Sequence, residues 1–293
     1  AGISFDRPAE EITKSCAVYI EVFDKRIEAL AGEKSTATYD SVFEPFDNYI
    51  TEFADSLQHD RLMLNTHPDE AVRKASADCT IKGFEVLGAL DVNRRLYDRM
   101  SQVGLKGLPE ERAFTVNHWK QRFQGSGVGE DQKTRERVQA LNDDIIRIGE
   151  MFNQNVTNAV DSIQVKKERL AGVPDDYLTA HPANDEGLVT ITTAYSDISP
   201  VTKYAHDRAL RKQLTIMSMN RAAKENPAVL LDLMAKRYEL AKILGHNNFA
   251  EQNLLGTMAK TTENVVQFTA KLNDAIKQPL VKEKARLLIQ MQA

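Results

Sequence analysis

Six histidines are the side chains of this sequence that would most readily bind a metal ion or transfer protons. A zinc site on one helix needs two of them four residues apart, as in HExxH, where the glutamate can act as general base. None of the six lies within five residues of another, and neither HExxH nor a Cys–His cluster occurs. The spacing therefore predicts no metal ligand in this chain. The histidines are His59, His67, His118, His181, His206 and His246.

Three glycines alternate in the stretch QGSGVGE, residues 124–130. A phosphate-binding loop needs a strand before it, a helix after it and the spacing GxGxxG. Here the spacing is not met and helical patterns flank the stretch on both sides. We therefore expect Gly125, Gly127 and Gly129 to form a flexible connection between two helices.

Adjacent acids and clustered tyrosines are the remaining candidates for chemistry. Neighbouring residues of a helix point in different directions, so Asp143 and Asp144 cannot converge on one bond, and Asp175–Asp176 is likewise best explained as solvated. Tyr177, Tyr195 and Tyr204 could line a pocket, although aromatic side chains are more often core. No GxSxG turn occurs. The sequence thus predicts no catalytic, cofactor-binding or metal-binding residue.

Cys16 and Cys79 are the only cysteines. They lie far apart, without a CxxC pair and without a histidine nearby, which favours two buried thiols in a reducing compartment. A single disulfide between them stays open as the alternative.

Composition excludes several classes of protein. A formal charge of −4 over 293 residues gives no basic surface for a phosphate backbone, so nucleic acid is not an expected partner. The mean hydropathy is −0.42, and no apolar run of about 18 residues is present, so we expect no membrane-spanning helix. The chain opens without Met, so we expect any targeting segment to have been removed already; the cytoplasm is the default expectation, and export stays open.

Apolar residues at helical spacing run through most of the chain, which predicts a mainly α fold. Residues 131–170 form the longest pattern and would span about 60 Å as one helix, which indicates an elongated multi-helix array or bundle. Ser41 and Glu44 match a capping box. The predicted regions are 1–124, helical, and 125–293, with the long helix, a β segment and further helices. The predicted helices cover about 12–30, 41–57, 69–90, 96–103, 109–123, 131–170, 204–223, 226–244 and 262–293.

One segment, LVTITTAY at 188–195, has the two-residue alternation of a strand. A single strand cannot satisfy its own backbone hydrogen bonds, and the sequence offers few candidate partners. The last apolar helical pattern also runs to Ala293 without a Gly or Asn cap. Together these features lead us to expect a truncated domain.

Five segments follow one another in a characteristic order. They are RFQGSGVGEDQKTRERVQALNDDIIRIGEMFNQNV from Arg122, GVPDDYL from Gly172, VTITTAYSDISPVTKYAHDRALRKQL from Val189, NRAAKENPAVLLDLMAKRYELAKILG from Asn220 and GTMAK with Met258. Their order and spacing resemble the amino-terminal half of the thimet oligopeptidase, neurolysin and oligopeptidase A family of zinc metallopeptidases, over about Tyr39 to Gln278.

The resemblance implies a helical protein split by a deep channel that admits short peptides. Zinc would be held by HExxH and a later glutamate, all of them downstream of the matched region. Residues 131–170 would form a channel wall, and 188–195 would join a sheet completed by the other half. The implied partners are short peptides and a carboxyl-terminal catalytic half; zinc is expected only in the full-length enzyme.

We therefore expect the non-zinc half of a metallo-oligopeptidase, inactive by itself. Two alternatives remain: a free-standing helical binding or scaffold module, and one chain of a split peptidase. Peptide specificity and oligomeric state cannot be read from this sequence.

Overall fold

A computed structural model describes residues 6–292, with side chains as far as residue 291. It is mainly helical, as predicted. Its elements, in chain order, are α1 Ala9–Gly32, α2 Tyr39–Thr66, α3 Glu70–Asp91, α4 Arg94–Ser101, α5 Glu110–Gly125, α6 Gln132–Asn158, β1 Ser162–Lys166, α7 Asp175–Ala180, β2 Leu188–Thr192, α8 Tyr195–Tyr204, α9 Arg208–Met219, α10 Asn226–Ile243, α11 Phe249–Asn253 and α12 Thr262–Gln292.

The chain divides into two compact units, one within 1–146 and 236–293, called unit 1, and one within 147–235, called unit 2. The division predicted between residues 124 and 125 stays a prediction. The expectations that rest on the first three residues and on Ala293 concern positions outside the described residues. Among residues 6–292, no helix combines the length and the hydropathy that crossing a bilayer requires.

The first five helices of unit 1 pack through the apolar stripes that the sequence predicts. Helices α1, α2 and α3 contact one another, α4 lies against α1, and α5 packs on α4. Aromatic rings fill the contacts: Phe23 lies 4.4 Å from Phe53 between ring centroids, and Phe46 meets Trp119 edge to face at 4.7 Å. Burial of these rings removes large apolar areas from water and so holds the helices together.

The start of α2 differs from the prediction. The capping box is formed by Thr38 and Ser41, whose side chains each bond the backbone of the other, and not by Ser41 and Glu44. The helix begins two residues earlier than predicted, and its first residue, Tyr39, stacks on Phe43 at 5.7 Å between centroids. Pro45 lies in the second turn of α2.

Cys16 and Cys79 are joined in a disulfide, so the expectation of two thiols was wrong. Cys16 lies on the face of α1 that packs against α3, and Cys79 lies on the facing side of α3, with 5.9 Å between their Cα atoms. A separation of 63 residues along the chain carries no sign of this approach. It follows from packing, which the cysteine spacing does not encode.

The predicted helix 131–170 was too long. Helix α6 ends at Asn158, and residues 162–166 form β1 instead. This strand pairs antiparallel with β2, with Ile163 opposite Ile191. The expectation that residues 188–195 would find no partner within this chain was therefore wrong. Strand β2 also ends at Thr192, and Tyr195 begins a helix, α8, that was not predicted.

The core of unit 2 forms between the hairpin and the helices that follow it. Val165 and Ile191 from the two strands are buried together with Leu210 and Leu214 of α9. Gly172 lies against this core with a φ of 95°. A Cβ there would lie 2.5 Å from the carbonyl oxygen of Tyr204 and 2.6 Å from the His206 ring, so only glycine fits.

Gly172→Ala should destabilise the protein because it combines a disfavoured φ with a steric clash against backbone. Gly187→Ala is the matched control, since Gly187 has a φ of 75° but open space around its Cβ position. The φ cost of about 1–2 kcal/mol applies to both, and the clash adds about 1–3 kcal/mol at Gly172 alone. Urea unfolding of both variants measures the difference; equal shifts would contradict the close approach.

Candidate functional site

Unit 1 contains a cavity of about 1100 Å³ between α3, α5, the first turns of α6, the end of α10 and α11. This volume is in the range of small-molecule and peptide sites. Its wall combines apolar side chains with side-chain amides. The apolar members include Phe84, Leu87, Ile145, Leu244, Phe249 and Leu255, and the amides are Gln121, Gln124, Asn142, Gln252 and Asn253.

Helical periodicity places these side chains on the wall. On α3, Phe84, Leu87 and Asp91 are spaced three and four residues apart, so they share one face. On α5, His118, Arg122 and residue 125 follow the same rule. The two faces are turned toward the same space, which is how residues distant in sequence come to line one cavity.

The strongest charges on the wall form a pair. The Arg122 guanidinium donates two hydrogen bonds to the Asp91 carboxylate, at 2.8 Å and 3.1 Å. Burial raises the pKa of Asp91, and the hydrogen bond and charge of Arg122 offset part of that rise. Arg122 also lies over the Trp119 ring, 5.0 Å from its centroid. The wall therefore presents a fixed ion pair.

One amide has unused hydrogen-bonding capacity. The Gln252 Oε1 atom is buried and has no hydrogen-bond partner within the described residues. A buried acceptor of this kind costs free energy unless a donor reaches it. With its apolar neighbours, it suits the N–H groups and apolar side chains of a peptide segment.

The QGSGVGE stretch connects α5 and α6, as predicted, and part of it borders the cavity. Val128 is fully buried, so the connection is packed. Gly127 has a φ of 81°, and a Cβ there would lie 2.6 Å from the Leu244 Cδ2 atom. The glycine therefore lets this turn approach the end of α10 closely.

The six histidines do not converge. His118 and His246 line the cavity. His67 follows α2 and takes part in the turn before α3, accepting from the Asp69 N–H at 3.1 Å. The His181 ring stacks on Tyr177 at 4.0 Å between centroids. Within residues 6–292, no three His, Cys, Asp or Glu side chains form a group that could hold a metal ion.

The other sequence candidates also stay apart from the cavity. Tyr177 is buried and donates to the Asp197 carbonyl at 3.0 Å, whereas Tyr195 is 83% exposed, so the tyrosines form no shared pocket. Asp144 accepts from Lys236 at 2.8 Å. Asp175 and Asp176 lie in the first turn of α7, where negative charge is favourable.

Sequence reasoning missed the pair of Asp91 and Arg122. The two residues are 31 positions apart on different helices, and each belongs to a type that usually lies on the surface. The signal in the sequence is their helical spacing. Asp91 lies one turn from Leu87, and Arg122 lies one turn from Trp119, which places each at the edge of a buried face.

Comparison with known proteins gives this geometry a context. Residues 201–293 match the model for Peptidase family M3. Saccharolysin of Saccharomyces cerevisiae is 27% identical over 85% of this chain and 36% of its own length. The thimet-like oligopeptidase of Dictyostelium discoideum is 22% identical over 97% of this chain and 44% of its own length. A mitochondrial intermediate peptidase of Coccidioides immitis is 27% identical over 79% of this chain and 29% of its own length.

Over residues 201–293 this chain is similar to peptidase family M3. The resemblance noted in the sequence is thus confirmed at the level of the family. The chain spans less than half the length of these curated relatives. Metallopeptidase activity is a property of that family.

Arg122→Met should leave the Asp91 carboxylate partly buried without its partner. The side chain of Asp91 is 18% exposed, and loss of a charged hydrogen-bond partner at such a site costs about 1–3 kcal/mol. Without Arg122 the pKa of Asp91 rises further above its unfolded value. The destabilisation should therefore be largest at neutral pH and shrink as pH falls and Asp91 becomes protonated in the folded state of both proteins.

Urea unfolding at pH 7 and at acidic pH tests this expectation. Arg94→Met is the matched control, because Arg94 pairs with the exposed Asp98 at 2.8 Å and its loss should change little. A loss for Arg122→Met that is independent of pH would contradict the assigned role of Asp91.

Proposed function

We propose that this chain is the amino-terminal, non-zinc part of a metallo-oligopeptidase that hydrolyses short peptides, and that it contributes a wall of the substrate channel. The zinc that family M3 uses does not fit the described residues, since they bring no three ligating side chains together. The metal and the water that it activates then belong to the catalytic half. This chain supplies a surface that binds the peptide and a channel wall that excludes larger substrates.

The observation that carries this proposal is helix α12. Each of its side chains from 263 to 291 is exposed, although the helix is 31 residues long. Helices in proteins are stabilised mainly by packing of an apolar face against other elements. An apolar stripe that is left uncovered along a long helix therefore marks an interaction surface. Helix α12 lies wholly inside the segment that matches family M3.

The exposed apolar residues of α12 are concentrated on one side. At 100° per residue, most fall within one arc around Val265, whereas Gln267 and Gln278 face away from it. The residues of this arc, which we call the α12 stripe, are Val265, Phe268, Leu272, Ile276, Leu280, Leu287 and Met291. A catalytic half that packs on the α12 stripe would remove it from water.

The cavity in unit 1 supports the substrate class. Its amides and apolar side chains match the two kinds of group that every short peptide presents, backbone amides and side chains. The names of two relatives, saccharolysin aside, describe an oligopeptidase and an intermediate peptidase. A channel wall of this chemistry would hold a peptide without performing its hydrolysis.

The purified chain should cleave no internally quenched peptide and should bind no stoichiometric zinc. The reason is that the groups needed to hold zinc and to activate water lie in the other half. A fluorescence assay and metal analysis after dialysis check both statements. Robust cleavage that a chelator abolishes would overturn the proposal.

A second test joins this chain to the carboxyl-terminal part of saccharolysin, the part that follows the matched region. The chimera should cleave short peptides, and Leu272→Lys in the α12 stripe should lower its activity at least tenfold. Gln278→Lys places the same charge on the opposite side of α12 and should leave activity close to that of the chimera. Equal effects of the two substitutions would exclude the α12 stripe as the contact surface.

The same experiments separate the alternatives. A free-standing binding or scaffold module predicts a chain that is stable and monomeric with its α12 stripe exposed and that gains no activity in the chimera. A split peptidase predicts that a separate zinc-bearing chain, added in trans, restores cleavage.

A further inference from the structure

A buried polar cluster surrounds the disulfide between α1 and α3. Asp60 of α2 is only 1% exposed, and its Oδ2 atom lies 3.2 Å from Cys79 Sγ. The Tyr19 hydroxyl donates to the same Oδ2 atom at 2.9 Å and lies 2.6 Å from Cys79 Sγ. One sulfur of the disulfide thus lies beside a carboxylate and a hydroxyl.

The contact between Asp60 and Cys79 can be a hydrogen bond in only one redox state. A disulfide sulfur has no proton, so in the oxidised form Cys79 donates nothing to the carboxylate at 3.2 Å. A Cys79 thiol in the same place would donate an S–H···O⁻ hydrogen bond. Asp60 therefore stabilises the reduced form more than the oxidised form.

Other groups keep Asp60 in place without removing this asymmetry. Arg7 lies 3.4 Å from Asp60 Oδ1 and 3.1 Å from His59 Nδ1, and it also bonds Ser15. Burial raises the pKa of Asp60, and its bonds with Tyr19 and Arg7 offset part of that rise. The carboxyl group is therefore able to exchange a proton at less acidic pH than a solvated Asp.

We propose that Cys16–Cys79 is a reversible redox site whose reduced form Asp60 accommodates in the folded protein. Its reductant is a dithiol. A disulfide that opens and closes in this way would set how firmly α1 is attached to α3. In a reducing compartment, disulfides are usually of this transient kind, whereas in an oxidising one they are usually structural.

The reaction is a two-step thiol–disulfide exchange. Cys16 and Cys79 are both buried, so exchange requires α1 to separate locally from α3. A thiolate of the dithiol then attacks Cys16 Sγ, because the Asp60 carboxylate repels an anion approaching Cys79. The S–S bond breaks, its electron pair passes to Cys79 Sγ, and that sulfur takes a proton from water by way of Asp60. The second thiolate of the reductant then attacks the mixed disulfide, and Cys16 leaves and is protonated. The dithiol is oxidised to its cyclic disulfide, and the cysteine pair gains two electrons and two protons.

The first experiment uses the whole chain without denaturant. The protein is equilibrated with increasing ratios of reduced to oxidised dithiothreitol, alkylated and weighed by mass spectrometry, while circular dichroism follows the helices. We expect both cysteines to become alkylated while the helical signal and a cooperative melt persist, and the disulfide to re-form on oxidation. Alkylation only when the helices unfold would overturn the proposal and indicate a fixed structural bond.

The second experiment asks whether Asp60 sets the equilibrium. Asp60→Asn replaces the charged acceptor with a neutral one and should raise the dithiothreitol ratio at half-reduction roughly tenfold, which corresponds to about 30 mV for a two-electron couple. Asp55→Asn, at an exposed position of the same helix, should leave the ratio unchanged. Equal ratios for all three proteins would overturn the role of Asp60. If Asp60→Asn does not fold, Tyr19→Phe tests the assignment instead. The Tyr19 hydroxyl bonds Asp60 in both redox forms, so its removal should change the ratio at half-reduction by less than threefold. A larger change would mean that Tyr19, and not Asp60, sets the redox equilibrium.

Discussion

The covering of apolar helix faces is the constraint on which the rest of this structure depends. Helices α1, α2 and α3 satisfy it for one another, because their stripes meet in a shared core that excludes water. Unit 2 satisfies it with a hairpin, whose inward residues pack on α8 and α9. Helix α12 departs furthest from it among the described elements, since its stripe faces solvent along the whole helix.

Buried carboxylates form a second set of constraints, and the structure meets each with specific partners. Asp91 lies beside the cavity with a bidentate arginine, which fixes its charge and leaves the neighbouring amides available. Asp60 has weaker support, a tyrosine hydroxyl and an arginine at 3.4 Å, and it lies against a sulfur. The difference suggests different uses: a well-paired carboxylate holds a wall in place, and a less well-paired one responds to a change in its neighbour.

The sequence predicted the helical regions well because helical periodicity is a local signal. Its failures came from contacts between distant residues. Residues 162–166 read as helix because Ile163 continues the stripe of α6, yet pairing with residues 188–192 satisfies their backbone groups in a hairpin. The disulfide required knowledge of which faces of α1 and α3 meet. The sequence also placed the capping box of α2 at Ser41 and Glu44, whereas Thr38 and Ser41 form it and the helix begins at Tyr39.

The candidate site shows the same limit more strongly. Side-chain types alone excluded a metal ligand set on one helix, because that requires a fixed spacing which the sequence lacks. A cavity has no such spacing, since its wall is assembled from one face of each of several helices. His118 and His246 are 128 positions apart and still line the same space. Binding surfaces of this kind can be recognised only in the folded structure, whereas a catalytic site carried by a short motif can be recognised in the sequence.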